Sequence, residues 1–366
     1  MFNRFLVILF VVLSPKSSFA NGDTLTIPGT WSLGAKVQIG YLLAHRPSLV
    51  YLQQKKISSF EISYLKSSQG HDEWQRNYNE PLLGFAYQYF DLGNENLLGH
   101  GHAVYPLVLF PLLHKHHLGI NIRFGIGIGY VEKRYTIAEN YKNQAISTHI
   151  NGVITTGVQF RIPCNARTQF STGIDFTHFS NGASRLPNAG LNIPSINIGF
   201  QHFFGNQIKL VRTELPGYNH KKEITFYAAT GFKERVPGET IKVSVGIFTT
   251  DIHFRITRKS FIGGGADVFY DATLQKRVFD LDSINYSKTA ANTRIGIHLS
   301  YGIAVGKFRG YFQPGYYLYN KLPVSASIFT RLSLRYFVSE KIFVCFNLKS
   351  HFAKADYFEY GIGFKI

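Results

Sequence analysis

Residues 118–130 alternate without a break. Positions 118, 120, 122, 124, 126, 128 and 130 are Leu, Ile, Ile, Phe, Ile, Ile and Tyr, while the positions between them are Gly, Asn, Arg, Gly, Gly and Gly. A period of two over this length describes an extended strand with two unlike faces, longer than the five or six residues usual in a soluble sheet. In a soluble sandwich the non-apolar side faces water and is richly polar. Here it is mostly glycine, with one Arg and one Asn, which suits a cramped polar interior. Residues 295–305 repeat the design, with Ile295, Ile297, Leu299, Tyr301, Ile303 and Val305 set against Gly296, His298, Ser300, Gly302 and Ala304. Segments of about ten residues, apolar outside and small or polar inside, are the mark of a transmembrane β-barrel. Such a sheet must close, because hydrocarbon cannot satisfy an open edge.

Eight such segments fall at about 33–43, 56–66, 82–91, 100–112, 118–131, 148–162, 168–180 and 192–204, enough for a small filled barrel. Eight more follow at about 223–231, 240–257, 260–270, 292–305, 308–319, 325–337, 341–352 and 356–366. The expected fold is therefore all-β, a transmembrane antiparallel barrel over 21–205. The stretch 206–222, with Pro216-Gly217, reads as a linker or long turn, and 223–366 forms either a tandem barrel or part of one larger barrel. Residues 1–20 read as a secretory signal: Arg4, an apolar run over 5–13, then Ser18-Phe19-Ala20 as a small-x-small cleavage site. That run is too short to span a bilayer as a helix.

Composition narrows the partners. Lys and Arg number 39 against 22 Asp and Glu, a formal charge of +17, and Arg4 and Lys16 leave with the signal. For an exported chain this favours anionic lipid or lipopolysaccharide phosphates over nucleic acid. Solubility of the loops is the plainer account of the same charge. Two Cys supply neither a disulfide framework nor a four-thiolate zinc site, and no cofactor or metal is expected.

The seventh segment ends Asp175-Phe176-Thr177-His178-Phe179-Ser180-Asn181-Gly182. By parity, Ile174, Phe176, His178 and Ser180 share the outward row. A His and a Ser two apart on one face bring an imidazole within reach of a hydroxyl, the minimum for a base-activated nucleophile. If the N-terminus is periplasmic, this strand ends at the cell surface, level with the outer leaflet of an outer membrane.

These residues carry a family resemblance. His178-Phe179-Ser180-Asn181-Gly182, then Pro187-Asn188 and an alternating strand, resembles the outer-membrane lipid A 3-O-deacylases and related acyloxyacyl hydrolases, over about 31–204. The resemblance implies an eight-stranded barrel that removes the ester-linked 3-hydroxyacyl chain of lipid A without a metal, through a Ser–His–acid triad on its outer face. Ser180 would be the nucleophile and His178 its base, with Asn181, Asn188 and the backbone near Gly182 as oxyanion stabilisers. One position departs: where the acid is expected stands Asn192, sharing a face with Ile196, Ile198 and Phe200. Asparagine can orient an imidazole but supplies no negative charge, so a working but slower enzyme is expected.

Other features are weaker. His114-Lys115-His116-His117 reads as a solvated turn, and His100 and His102 as barrel residues. Gly125, Gly127 and Gly129 lie within a strand and do not form a nucleotide loop. Cys164 and Cys345 lie in different halves. Arg46, Lys55, Lys56, Lys133 and Arg134 are candidates for holding lipid A phosphates. Residues 347–353 faintly echo the first motif with Ala353 in place of the Ser, and parity turns His351 inward, so no catalysis is expected there. A non-enzymatic barrel (porin, adhesin or scaffold) is the alternative reading, and a soluble β-sandwich a third.

Overall fold

The computed structural model describes residues 24–115, 117–211, 215, 217, 222–234, 242–274, 287–321, 326–351 and 354–366. The signal read over 1–20 lies outside the described residues. The chain forms two compact units, each built round one closed antiparallel barrel. The choice between tandem barrels and one larger barrel is thereby settled in favour of two barrels of eight.

The first barrel runs β2 (Trp31–Gly40), β3 (Ile57–Ser67), β4 (Leu82–Asp91), β5 (His100–Lys115), β6 (Leu118–Val131), β7 (Ile150–Pro163), β8 (Thr168–Ser180) and β9 (Leu191–Phe204). Each strand pairs with its sequence neighbour, and β2 pairs with β9 to close the ring. Before and after it, β1 (Thr24–Ile27) pairs with β10 (Ile208–Val211) in a two-stranded clasp, so part of the stretch read as a linker is strand. The second barrel runs β11 (Lys222–Lys233), β12 (Val243–Arg255), β13 (Ser260–Asp271), β14 (Thr293–Val305), β15 (Phe308–Asn320), β16 (Ile328–Phe337), β17 (Ile342–His351) and β18 (Lys354–Lys365), closed by β11 on β18.

Burial follows the alternation. Ile128, Ile174, Ile196 and Ile198 face outward and are 64%, 55%, 65% and 54% exposed, whereas inward Asn121, Arg123, Asp175 and Asn197 are buried. In the second barrel Leu299 and Ile362 are outward while Asp251, Asp267, Arg331, Arg335 and Glu359 fill the interior. Apolar exteriors round ionic interiors are what a barrel in hydrocarbon requires.

The first interior is an ion network drawn from four strands. Lys36 Nζ lies 2.7 Å from Asp175 Oδ2 and 3.3 Å from Glu61 Oε2. Arg123 bridges the same two acids, at 2.9 Å to Asp175 Oδ2 and 2.7 Å to Glu61 Oε2. Tyr105 donates its hydroxyl to Glu61 at 2.6 Å, and the Asn197 amide donates to Asp175 at 2.9 Å. Two cations against two carboxylates, each carboxylate also accepting a neutral donor, is how buried charge is tolerated. In the second barrel His298 spans Asp267, at 2.7 Å from Nδ1, and Asp251, at 2.8 Å from Nε2.

Candidate functional site

The β8 strand carries His178 and Ser180 because its inward residues anchor it. Between the two, Phe179 points into the core, fully buried, edge-on to Phe90 with ring centroids 5.2 Å apart. With Phe179 and Thr177 inward, His178 and Ser180 continue the outward row of Ile174 and Phe176.

Register brings the third residue. His178 faces Asn192 directly across the β8–β9 ladder, and His178 Nδ1 lies 2.6 Å from Asn192 Oδ1. Since an amide oxygen only accepts, this distance puts the proton on Nδ1 and leaves Nε2 with a lone pair, the tautomer a general base needs. The Asn192 side chain is itself buried.

The connection after β8 supplies the rest. Asn188 Nδ2 donates to Ser180 Oγ at 2.8 Å, and Asn188 Oδ1 accepts the Asn181 backbone N–H at 3.2 Å. Asn188 thus holds a carboxamide N–H at the serine oxygen. The Asn181 side chain is directed elsewhere: its Nδ2 donates to Ser147 Oγ at 3.0 Å and Thr148 Oγ1 at 3.2 Å, tying β8 to the segment before β7. Gly182 has a left-handed backbone, φ 62°, which glycine adopts without cost.

Two residues of the site escape sequence reasoning. Gly190 adopts φ 80°, and a Cβ there would lie 2.6 Å from His178 Cε1, so its backbone lies flush against the imidazole edge. Its N–H donates to Ala145 O at 2.9 Å, and that of Ala189 to Gln144 O at 3.2 Å. The second is His45. Past β2 the chain keeps pairing with β9: the Tyr41 N–H donates to Pro194 O at 3.3 Å and the Leu43 N–H to Asn192 O at 2.8 Å. That continuation delivers His45, whose Nδ1 lies 2.9 Å from Asn192 Nδ2. Burial lowers the pKa of His45 below the ordinary histidine value; Arg46 acts the same way, against the carbonyls of Leu43 and Ala189. The missed signal is parity: the outward odd row of Val37, Ile39 and Tyr41 extends through 43 to 45.

The remaining sequence candidates lie elsewhere. His100 and His102 point outward with Nδ1 atoms 2.8 Å from the hydroxyls of Tyr89 and Tyr87. Among the described residues no group of three or more His, Cys, Asp or Glu could hold a metal, and His116 lies outside them. Cys164 and Cys345 are free thiols. His351 Nε2 lies 3.1 Å from the hydroxyl of the buried Tyr317, and Ala353, the echo's stand-in for the serine, lies outside the described residues.

Residues 58–201 match the family model described as lipid A 3-O-deacylase (PagL), and residues 222–366 match the one described as acyloxyacyl hydrolase, C-terminal domain. No curated protein matches the chain. Among solved structures, the chain is similar to Neisserial surface protein A at 9% identity, covering 49% of this chain and 99% of that one, with a TM-score of 0.33. It is also similar to a variant of the Rh. blastica porin at 9% identity, covering 92% and 100%, with a TM-score of 0.20. With one family model on each barrel, the chain belongs to the lipid A 3-O-deacylase and acyloxyacyl hydrolase family of β-barrels.

Proposed function

We propose that this protein is an outer-membrane serine esterase that removes an ester-linked 3-hydroxyacyl chain from lipid A. Ser180 Oγ attacks the ester carbonyl while His178 Nε2 takes the hydroxyl proton, and the imidazolium passes that proton to the departing sugar oxygen. Water, activated by the same imidazole, then cleaves the acyl-serine to a free 3-hydroxy fatty acid. The Asn188 carboxamide and the backbone N–H groups near Gly182 stabilise the oxyanion, a contribution of about 10²–10³ in rate for one such donor.

The observation that carries this reading is the 2.6 Å contact between His178 Nδ1 and Asn192 Oδ1 on the outward face, two residues from Ser180. A triad on the outside of a barrel serves a substrate that arrives through the lipid, with its ester at the membrane–water boundary. The long connections 41–56, 132–149 and 181–190 rise from the same end of the barrel as Ser180, as the extracellular loops of such barrels do, which supports a site at the outer leaflet. Basic Arg46, Lys133 and Arg134 belong to these connections and suit the phosphates of lipid A. Asn192 gives the imidazolium no counter-charge, so turnover is slower than an acidic residue would allow.

The test is mass spectrometry of lipid A after incubation with the refolded protein beside Ser180→Ala. Loss of one 3-hydroxyacyl mass only with the native serine supports the reading. Unchanged lipid A with both folded proteins overturns it in favour of a non-enzymatic barrel.

A further inference from the structure

An asparagine in place of an acid raises a problem that a carboxylate does not have. The two oxygens of a carboxylate are equivalent, so an acid cannot be the wrong way round. A carboxamide can. With Oδ1 toward His178, the imidazole carries its proton on Nδ1 and presents a basic Nε2. Turned over, Nδ2 would donate to Nδ1, the ring would carry its proton on Nε2, and no base would face Ser180.

We propose that His45 is a positioning residue that sets the orientation of the Asn192 carboxamide and, through it, the tautomer of His178; the catalytic consequence rests on the esterase reading above. His45 Nδ1 lies 2.9 Å from Asn192 Nδ2, on the side of the amide away from His178. A neutral ring with its lone pair on Nδ1 accepts that N–H and points Oδ1 at His178. The competing contact of His45 Nδ1, to Leu43 O, is 3.4 Å and thus weak. The carbonyls of Leu43 and Ala189 oppose the lowering of the His45 pKa but do not cancel it. The low pKa of His45 keeps the ring neutral and able to accept. Two imidazoles therefore flank one amide, the outer one fixing which end of that amide the inner one meets.

The arrangement is rigid enough for this task. Backbone bonds from Tyr41 and Leu43 to Pro194 and Asn192 hold the His45 segment in register with β9. Gly190 lies against the edge of the His178 ring, where a Cβ would stand 2.6 Å from Cε1.

Two measurements test the inference, and one of them does not depend on activity. In protein ¹⁵N-labelled at histidine and folded in detergent, His178 is expected as the Nδ1–H tautomer, with His45→Ala giving a mixture of both forms. An unchanged His178 tautomer in His45→Ala overturns the inference. Kinetically, His45→Ala is expected to lower kcat about five-fold, the effect of one lost neutral hydrogen bond, with KM unchanged. His45→Gln, whose Oε1 can also accept, restores much of the rate and guards against a variant that fails to fold. In an Asn192→Glu background, where orientation no longer matters, the His45→Ala change is expected to cost nothing further. An equal loss in both backgrounds means that His45 acts only on the fold or on substrate, and the inference fails. If Ser180→Ala keeps activity, the esterase reading falls, while the tautomer measurement still decides the role of His45.

Discussion

Gly129 leaves the space that the ring of Phe179 fills. A Cβ at 129 would lie 2.6 Å from Phe179 Cε1 and 2.4 Å from Val153 Cγ2. Gly125 and Gly129, inward on β6, therefore leave volume for the rings of Tyr105 from β5 and Phe179 from β8. Phe179 in turn keeps His178 and Ser180 on the other side of the sheet. Gly129→Ala is expected to destabilise the first barrel by about 1–3 kcal/mol, as overpacking does, and to lower activity by shifting β8. Urea unfolding in detergent beside an esterase assay checks both.

Gly190→Ala acts directly on His178, the proposed base. The new methyl meets the His178 ring, and the backbone, at φ 80°, is one that alanine adopts with strain. The expected result is a fall in kcat of at least ten-fold with the barrel still closed, seen as unchanged heat-modifiable mobility on gels.

Asn188→Ala removes the donor at Ser180 Oγ. A drop of about 10²–10³ in kcat with little change in KM is the expected outcome. A change in KM alone would assign Asn188 to substrate binding.

The ion network predicts a different response. Among the described residues, Arg123→Ala leaves Asp175 and Glu61 with Lys36 as their one cation, and stripping a partner from a buried pair costs about 3–5 kcal/mol. The measurement is the urea midpoint of the refolded barrel, which is expected to fall well below that of an outward Ile174→Val control.

Lys259, in the turn between β12 and β13, has its pKa lowered by burial to about 8. Its amine is therefore substantially neutral at pH 8 and charged below about pH 7, whereas an ordinary lysine is neutral only above about 10.4. Amine-directed labelling over pH 7–9 is expected to modify Lys259 ahead of the loop lysines, as read by peptide mass mapping.

Most of the architecture is legible because one rule, apolar outside and small or polar inside, is written into every long strand. Asp175 could be placed inside and Ile174 outside from parity alone. The number of rings could not: alternation reads the same whether β9 turns back to β2 or goes on to pair with β11, and only the closing ladders decide it. The β1–β10 clasp was hidden because four residues are too few to show a period and Ile208–Val211 sits in a stretch that composition reads as a linker. At the site, His178, Ser180 and Asn192 share a face by counting, since strand periodicity carries that information. His45 lies past the end of β2, on the same odd row continued through 43, and Gly190 in the connection before β9, so the part each plays appears only once register is known.

The clasp has a consequence for how the first barrel could be encoded. Residues 24–27 and 208–211 lie side by side, so the strands between them form a ring whose way in and way out coincide. Joining those ends and opening the chain in the 132–149 connection would break none of the eight ladders. Such a permuted gene would list β7, β8 and β9 before β2, yet describe the same wall of side chains. For this barrel, the linear order of the strands is one of several equivalent scripts, and the physical constraint is who stands next to whom.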